Sequence, residues 1–283
     1  MTVALAFSLA APGWALSPPG ETVPALPPPA KTTARKPSTP SSPAGKPASV
    51  GSAPCWLGVV VTTGDEFMVK SIGLTVFQSK ETAVPITSWG LNDLIFARVR
   101  AAAPAGATVL RIPYNPARLP QHDAPRDGLL RDLKAEVAER MREATMGTNC
   151  QRYIQIGNSI SRFGSTNYTV GGFGIVDQNV LLGHRVFLYA ATYVRVFDGR
   201  DFSIIRHGSA VTNFTPFALQ SLVGHPMMGP YRDLPAESFP IRPEDAAGDL
   251  ALRDGVRAML TESLDKTLPY MLGRRPARES DAK

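Results

Sequence analysis

The sequence has little of what metal binding or hydrolytic catalysis usually requires. Only two cysteines and four histidines occur among 283 residues. No two histidines have the spacing that places two metal ligands on one face of a helix or strand. No G-x-S-x-G nucleophile motif is present either. We therefore expect no metal and no cofactor, and the sequence favours a protein that is not an enzyme.

Positive charge is scarce in the middle of the chain, although the net charge is +6. Residues 1–52 hold four basic residues and one acidic residue, and residues 274–283 hold four basic residues and two acidic ones. The segment between them has a net charge of about +1. That charge is too small for the concentrated basic face that binds a phosphate backbone, so we expect no nucleic-acid partner.

A long apolar run occurs at the amino terminus. Residues 3–16 are apolar, and the small residues Gly13 and Ala15 stand where a signal peptidase requires them. A membrane span needs about 20 apolar residues, and this run is shorter. The run predicts a signal peptide over residues 1–15 that is cleaved after Ala15, although no lysine or arginine precedes it. A buried amino-terminal segment of a cytosolic fold is the alternative.

A proline-rich segment follows the apolar run. Of the 26 prolines, 11 lie in Ser17–Pro54. Such a segment buries too little apolar area to offset its ordering entropy, and its prolines favour extended polyproline II. We predict a disordered linker over residues 16–54, one folded domain over residues 55–273 and a basic disordered tail over residues 274–283.

The two cysteines, Cys55 and Cys150, both stand at the ends of predicted elements. Cys55 directly precedes the first predicted strand, and Cys150 follows an amphipathic helix. In an oxidising compartment such a pair predicts a disulfide that closes a long loop. Two unrelated buried thiols are the alternative.

Hydrophobic patterning predicts an α+β domain with a mixed, largely antiparallel sheet covered by about three helices. The first two strands are predicted to form a hairpin around Thr63–Asp65, and Ser88 is predicted to cap the first helix. Asp198–Arg200 marks a second hairpin, and residues 212–245 are predicted to form a long surface excursion. Strands are predicted over residues 56–62, 67–77, 108–114, 152–160, 186–197 and 202–211, and helices over residues 89–102, 129–145 and 248–272.

Two stretches resemble known proteins. The sequence GDEFMVKSIGLTVF, from Gly64 to Phe77, resembles the opening of a group of uncharacterised exported proteobacterial proteins. The predicted element order, with Tyr193–Asp198 turning into Phe202–Ile205, is similar to the curli-secretion lipoprotein and to the amino-terminal domain of the Tol-Pal translocation protein. The chain lacks the lipobox of those lipoproteins. The second resemblance implies a non-catalytic envelope module that docks other proteins.

These observations favour a periplasmic or secreted protein that acts as a protein-interaction module on a flexible tether. Its partner would be an envelope protein, and its contact with the membrane would be only indirect. A small-ligand binder that uses the aromatic and glycine-rich region around Tyr168 and Phe173 is one alternative.

A secreted hydrolase is the other alternative. It requires at least one histidine within hydrogen-bond reach of a carboxylate in a concave pocket. Its site would be assembled from dispersed residues, since triads are recognised by geometry and not by sequence order. The candidates are His184, His207 and His225 together with Asp177 and Asp198.

Overall fold

Ten strands and three α-helices make up the described part of the chain. The computed structural model describes residues 55–73, 79–113, 132–164, 166, 168–180, 183–211, 227 and 229–273. In chain order the elements are β1 (Cys55–Thr62), β2 (Glu66–Ile72), β3 (Lys80–Pro85), α1 (Leu91–Ala102), β4 (Val109–Ile112), α2 (Leu133–Ala144), β5 (Cys150–Asn158), β6 (Ile160–Arg162), β7 (Thr169–Val180), β8 (Gly183–Asp198), β9 (Ile204–Ser209), β10 (Tyr231–Leu234) and α3 (Leu250–Met271).

The strands form one mixed sheet that curls into a half-barrel. Its central strand is β8, whose carboxyl-terminal half pairs with β5 and β9 and whose amino-terminal half pairs with β7 and β10. Beyond these, β1 lies between β5 and β4, and β2 lies between β7 and β3. The predicted α+β class and the mixed sheet are confirmed.

Two half-sheets therefore share β8. We call β1, β4, β5, β9 and the carboxyl-terminal half of β8 the disulfide half. We call β2, β3, β7, β10 and the amino-terminal half of β8 the lysine half. The two meet where β5 ends at Asn158, opposite Thr192, and β7 takes over the pairing at Gly172, opposite Ala191. Only β8 runs through this level without a break among the described strands.

The predicted hairpin between the first two strands is wrong. β1 and β2 do not pair with each other, because each runs parallel to a different neighbour: β1 to β5, and β2 to β7. Thr63–Asp65 links the strands without reversing their direction, with Gly64 at a φ of 69°. The hydrogen bonds of both strands go to partners far along the sequence, so local pattern alone did not reveal the pairing.

Three further predictions need correction. Ser88 does not cap α1, because Thr87–Trp89 forms a 3-10 turn and Gly90 stands at the amino terminus of the helix with a left-handed backbone. The strand β3 was missed, since five of its six residues are exposed and show no apolar alternation. Within the predicted excursion, Tyr231–Leu234 forms β10 against β8. Residues 212–226 lie outside the described residues.

The other predicted elements are found close to their predicted bounds. The β8–β9 hairpin is confirmed. In α2, Asp132 accepts hydrogen bonds from the amides of Lys134 and Ala135, and the predicted start at residue 129 lies outside the described residues. The apolar stripe of α3 is buried throughout: Leu252, Val256, Met259, Leu260, Leu264 and Leu268.

The sheet has a core on each face. On one face, α1 and α3 pack against both half-sheets and form the largest cluster of buried side chains. On the opposite face, α2 places Val137 and Met141 over the disulfide half only. The same face of the lysine half carries an aromatic cluster that includes Phe163, Phe187 and Tyr189.

Three tyrosines lie across glycines in directly opposing positions of neighbouring strands. The pairs are Tyr153 with Gly58, Tyr193 with Gly157 and Tyr189 with Gly174. A Cβ atom at any of these glycines would overlap the tyrosine ring, or the hydroxyl in the case of Tyr189. Glycine in a strand costs backbone entropy, and here that cost is offset by room for a large aromatic side chain, which is buried for Tyr153 and Tyr189.

Candidate functional site

A disulfide joins Cys55 to Cys150 and confirms the predicted pairing. The two residues are register partners at the starts of the parallel strands β1 and β5. Cys55 follows directly after the predicted linker, so the bond lies where the linker would meet the domain. Both cysteines are buried, and the bond closes a loop with a sequence separation of 95.

The start of β5 is held by groups other than the disulfide. The hydroxyl of Tyr153 accepts a hydrogen bond from the amide of Cys150 at 3.1 Å and donates one to the carbonyl of Thr148 at 3.2 Å. The amide of Gly199, in the β8–β9 turn, donates to the carbonyl of Gln151 at 2.9 Å. A Cβ at Gly199 would overlap the carbonyl oxygen of Cys150, so only glycine fits there.

The β8–β9 turn is pre-organised by several contacts. Phe202 has a φ of 63°, the left-handed region that bulky residues rarely adopt. Its ring stacks on Tyr153 at a centroid distance of 5.3 Å, and the guanidinium of Arg142 lies over the same ring at 5.2 Å. Such strain persists only where the surroundings over-determine the conformation. Hydrogen bonds from Ser203 hold the pKa of Asp201 below its usual value and fix the same turn.

An open depression lies between this turn and the disulfide. Arg152 and Arg200 line it, and within the described residues neither forms an ion pair. Arg152 lies over the ring of Trp56, 5.9 Å from its centroid. The lining residues are Cys55, Asn149, Cys150, Gln151, Arg152, Asp198, Gly199 and Arg200. This depression is the candidate functional site.

The lysine half contains a buried ionic group. The ammonium of Lys70, with 8% of its side chain exposed, donates to the Glu81 carboxylate at 2.7 Å and to the carbonyl of Thr169 at 2.9 Å. It also lies 5.5 Å from the centroid of the Tyr168 ring. Burial, together with the charge of Glu81, raises the pKa of Tyr189 far above its ordinary value. The ammonium of Lys70 is satisfied by Glu81 and Thr169, which is typical of a structural ion pair.

One of the predicted histidine and aspartate pairs is found in the structure. His184 hydrogen-bonds to Asp177 at 2.5 Å, with 43% of the histidine side chain exposed. Among the described residues no serine, threonine or cysteine side chain hydrogen-bonds to His184. His207 is exposed on β9 and is not brought to either aspartate. His225 lies outside the described residues. The candidates that lie among the described residues therefore do not form the concave site that the hydrolase hypothesis requires.

The predicted small-ligand region is divided between two faces of the sheet. Tyr168 packs against the aromatic cluster of the lysine half. Phe173 is fully buried in the core under α1 and α3 on the opposite face. The two aromatic residues therefore do not line a common pocket.

Two features are absent from the described residues. No group of three or more histidine, cysteine, aspartate or glutamate side chains in these ranges could hold a metal ion. Within the same ranges no helix combines the length and the apolarity needed to cross a bilayer. Ala15 lies outside the described residues, so signal cleavage stays a prediction.

Sequence reasoning missed Arg152 and Arg200 as a pair. Asp198–Arg200 was identified only as a hairpin turn, and Arg152 only as the first residue of a strand. They lie 48 positions apart in the sequence, and β5 and the β8–β9 turn become neighbours only through the pairing of Arg152 with Asp198. No local motif in the sequence indicates that β5 and the β8–β9 turn are neighbours.

No protein-family model matches the chain, and no curated protein matches it. Among solved structures, the chain is similar to protein XCC0632 from Xanthomonas campestris, a proteobacterial protein assigned to the family model DUF330. The identity is 11%, the match covers 77% of this chain and 81% of that chain, and the TM-score is 0.31. A likeness of this size carries no argument about function, and the resemblances found in the sequence stay predictions.

Proposed function

We propose that this protein is exported across a bacterial inner membrane and works in the periplasm or beyond it as a non-catalytic protein-interaction module. The folded domain binds another envelope protein, and residues 16–54 tether it. The Cys55–Cys150 disulfide is the observation that supports this proposal most directly. Structural disulfides form and persist in oxidising compartments and are rare in the reducing cytosol.

The position of the disulfide also supports the proposed tethered module. It closes the domain at the residue that follows the proline-rich segment, where a tether would transmit movement into the fold. The turn beside it supports binding, because binding residues often lie on surface loops that a rigid scaffold positions. The hydrolase alternative has less support, since the exposed His184–Asp177 pair lacks a hydrogen-bonded hydroxyl or thiol among the described residues.

Export is tested by fractionating cells that express the full chain. We expect the protein in the periplasmic or secreted fraction, with its amino terminus starting at Leu16 and with no thiol that reacts before reduction. A variant that lacks residues 1–15 should remain in the cytosol with reactive cysteines. Retention of the full chain in the cytosol with both thiols reactive would contradict the export proposal.

Partner binding is tested by cross-linking in cells, followed by envelope fractionation and mass spectrometry. We expect one envelope protein to be captured reproducibly by the full chain. The deletion of residues 17–54 should reduce that capture, because the tether no longer carries the domain to its partner. Recovery of the full chain only as an uncross-linked species would contradict the interaction module and direct attention to hydrolytic substrates.

A further inference from the structure

The depression beside the disulfide is lined by two arginines, neither in an ion pair among the described residues, and by a single carboxylate, that of Asp198. Several other arginines of the domain form ion pairs, for example Arg142 with Glu139, Arg185 with Asp233, and Arg242 with Asp245. Arg152 and Arg200 instead line one surface together. Two arginines that line one depression attract an anion with the planar geometry of a carboxylate.

The surroundings of the two arginines are already ordered. Arg152 is held against the Trp56 ring, and the backbone amide of Arg200 donates to the Asp198 carboxylate at 2.9 Å. The turn that carries Arg200 is fixed by the Gly199–Gln151 hydrogen bond and by the strained Phe202 stacked on Tyr153. A site that is rigid before binding loses less conformational entropy when it takes its ligand.

Building on the proposed function, we propose that this depression binds an acidic segment of the protein partner, with an Asp or Glu carboxylate between Arg152 and Arg200. The exposed amide side chains of Asn149 and Gln151 lie on its rim and hydrogen-bond to the peptide backbone. The volume of the depression is about 670 Å³, which is within the range of about 300 to 1,000 Å³ found for ligand sites.

A protein segment fits this surface better than a lipid surface does. Attraction to an anionic membrane needs a cluster of several cations, about four or more. Here only two arginines line the depression, while Asp198 lies in its lining and Asp201 in the same turn. The central part of the chain also has a net charge of only about +1. The mixed charge selects individual carboxylates and disfavours a continuous negative surface.

The test measures how the purified exported protein binds to two arrays of short random peptides. One array contains Asp and Glu, and the other carries Asn and Gln at the same positions. We expect retention on the carboxylate array only, and Arg200→Glu should weaken it at least about tenfold, because it replaces an attractive charge with a repulsive one. Arg152→Gln should weaken it in the same direction. Arg232→Glu, which changes an exposed arginine on β10 away from the depression, is the matched control and should leave retention unchanged.

Three results would overturn the carboxylate site: equal retention on both arrays, unchanged retention by Arg200→Glu, or binding of vesicles that contain phosphatidylglycerol without binding of acidic peptides. Urea midpoints of each variant show whether the fold is intact. The proposed function has a separate readout. If Arg200→Glu and Arg152→Gln still capture the envelope partner in cells as the wild type does, the interaction module stands and this site is wrong.

Discussion

The two half-sheets share β8, and the same helices cover both of them on one face. On the opposite face, different side chains cover each half-sheet. In the disulfide half, α2 places Val137 and Met141 over Tyr153 and the two cysteines. In the lysine half, the described side chains that cover the sheet are those of the aromatic cluster, beside a buried lysine with its glutamate. The disulfide half is thus closed by a covalent bond and an apolar helix face. The lysine half has an ion pair and a buried tyrosine in their place.

This difference separates two kinds of stabilisation. The disulfide acts by restricting the unfolded chain, and its contribution does not depend on protonation. The Lys70–Glu81 pair and Tyr189 depend on charge states in a poorly hydrated setting. Redox conditions should therefore act through the disulfide half, and alkaline pH should act through the lysine half.

Removal of the disulfide should have the largest effect on the free energy of unfolding. The double variant Cys55→Ser, Cys150→Ser should lose about 4 to 5 kcal/mol, because the bond closes a loop with a sequence separation of 95. Urea unfolding of the oxidised wild type and of the variant measures the loss. The reduced wild type is the control and should match the variant. Equal urea midpoints for the oxidised protein and the variant would contradict this account.

The glycines beneath the tyrosines test how each half tolerates added volume. Gly174→Ala should cost about 3 kcal/mol, since its Cβ would meet the carbonyl oxygen of Met68 at 2.5 Å as well as the Tyr189 hydroxyl. Gly58→Ala should cost about 1 to 2 kcal/mol, because its Cβ would meet only the side chains of Tyr153 and Ile112. Thermal and urea unfolding measure both. A larger loss for Gly58→Ala would reverse the expected order.

The ion pair of the lysine half should respond asymmetrically to the removal of each partner. Glu81→Gln leaves a buried ammonium without its carboxylate and should cost about 2 kcal/mol. Lys70→Met should cost about 1 kcal/mol, because the side chain of Glu81 is 47% exposed and stays hydrated. A double-mutant cycle with urea unfolding separates the pair energy from these single losses. Equal losses for the two single variants would show that the burial of Lys70 is not decisive.

Alkaline pH should destabilise the protein through Tyr189. Its pKa is raised in the fold, so its contribution is fully present below about pH 10 and is lost as the pH rises above that value. The free energy of unfolding should fall by up to about 1.4 kcal/mol per pH unit in that range. Tyr189→Phe should flatten this slope, whereas Tyr270→Phe, at a tyrosine with 54% exposure, serves as the matched control. Urea midpoints measured across this pH range provide the comparison, and an unchanged slope in Tyr189→Phe would assign the effect elsewhere.

Elements with strong local patterns were predicted well from the sequence. The stripe of α3, from Leu252 to Leu268, repeats at helical spacing and is buried as expected. The β8–β9 hairpin was found because Asp198-Gly199 lies between alternating apolar residues. The disulfide was predicted because only one pair of cysteines exists. In each case the determining residues are near one another in sequence or are unique in it.

Features that depend on distant partners were not predicted. The exposed strand β3 lacks alternation and is held by its pairing with β2. The separation of β1 from β2 reflects parallel pairing to β5 and β7, about 90 to 110 residues further along the chain. Helical and hairpin hydrogen bonds are local, whereas parallel pairing joins residues that carry no mutual signature in the sequence.

The sequence by itself determined the α+β class, the helices, the long hairpin and the single possible disulfide, because periodicity, turn residues and cysteine number are local or compositional properties. Only the tertiary structure decided that β8 joins two half-sheets, that His184 meets Asp177 while His207 does not, and that Arg152 and Arg200 line one depression. Such contacts depend on sheet order and register, which are set by the packing of the whole domain.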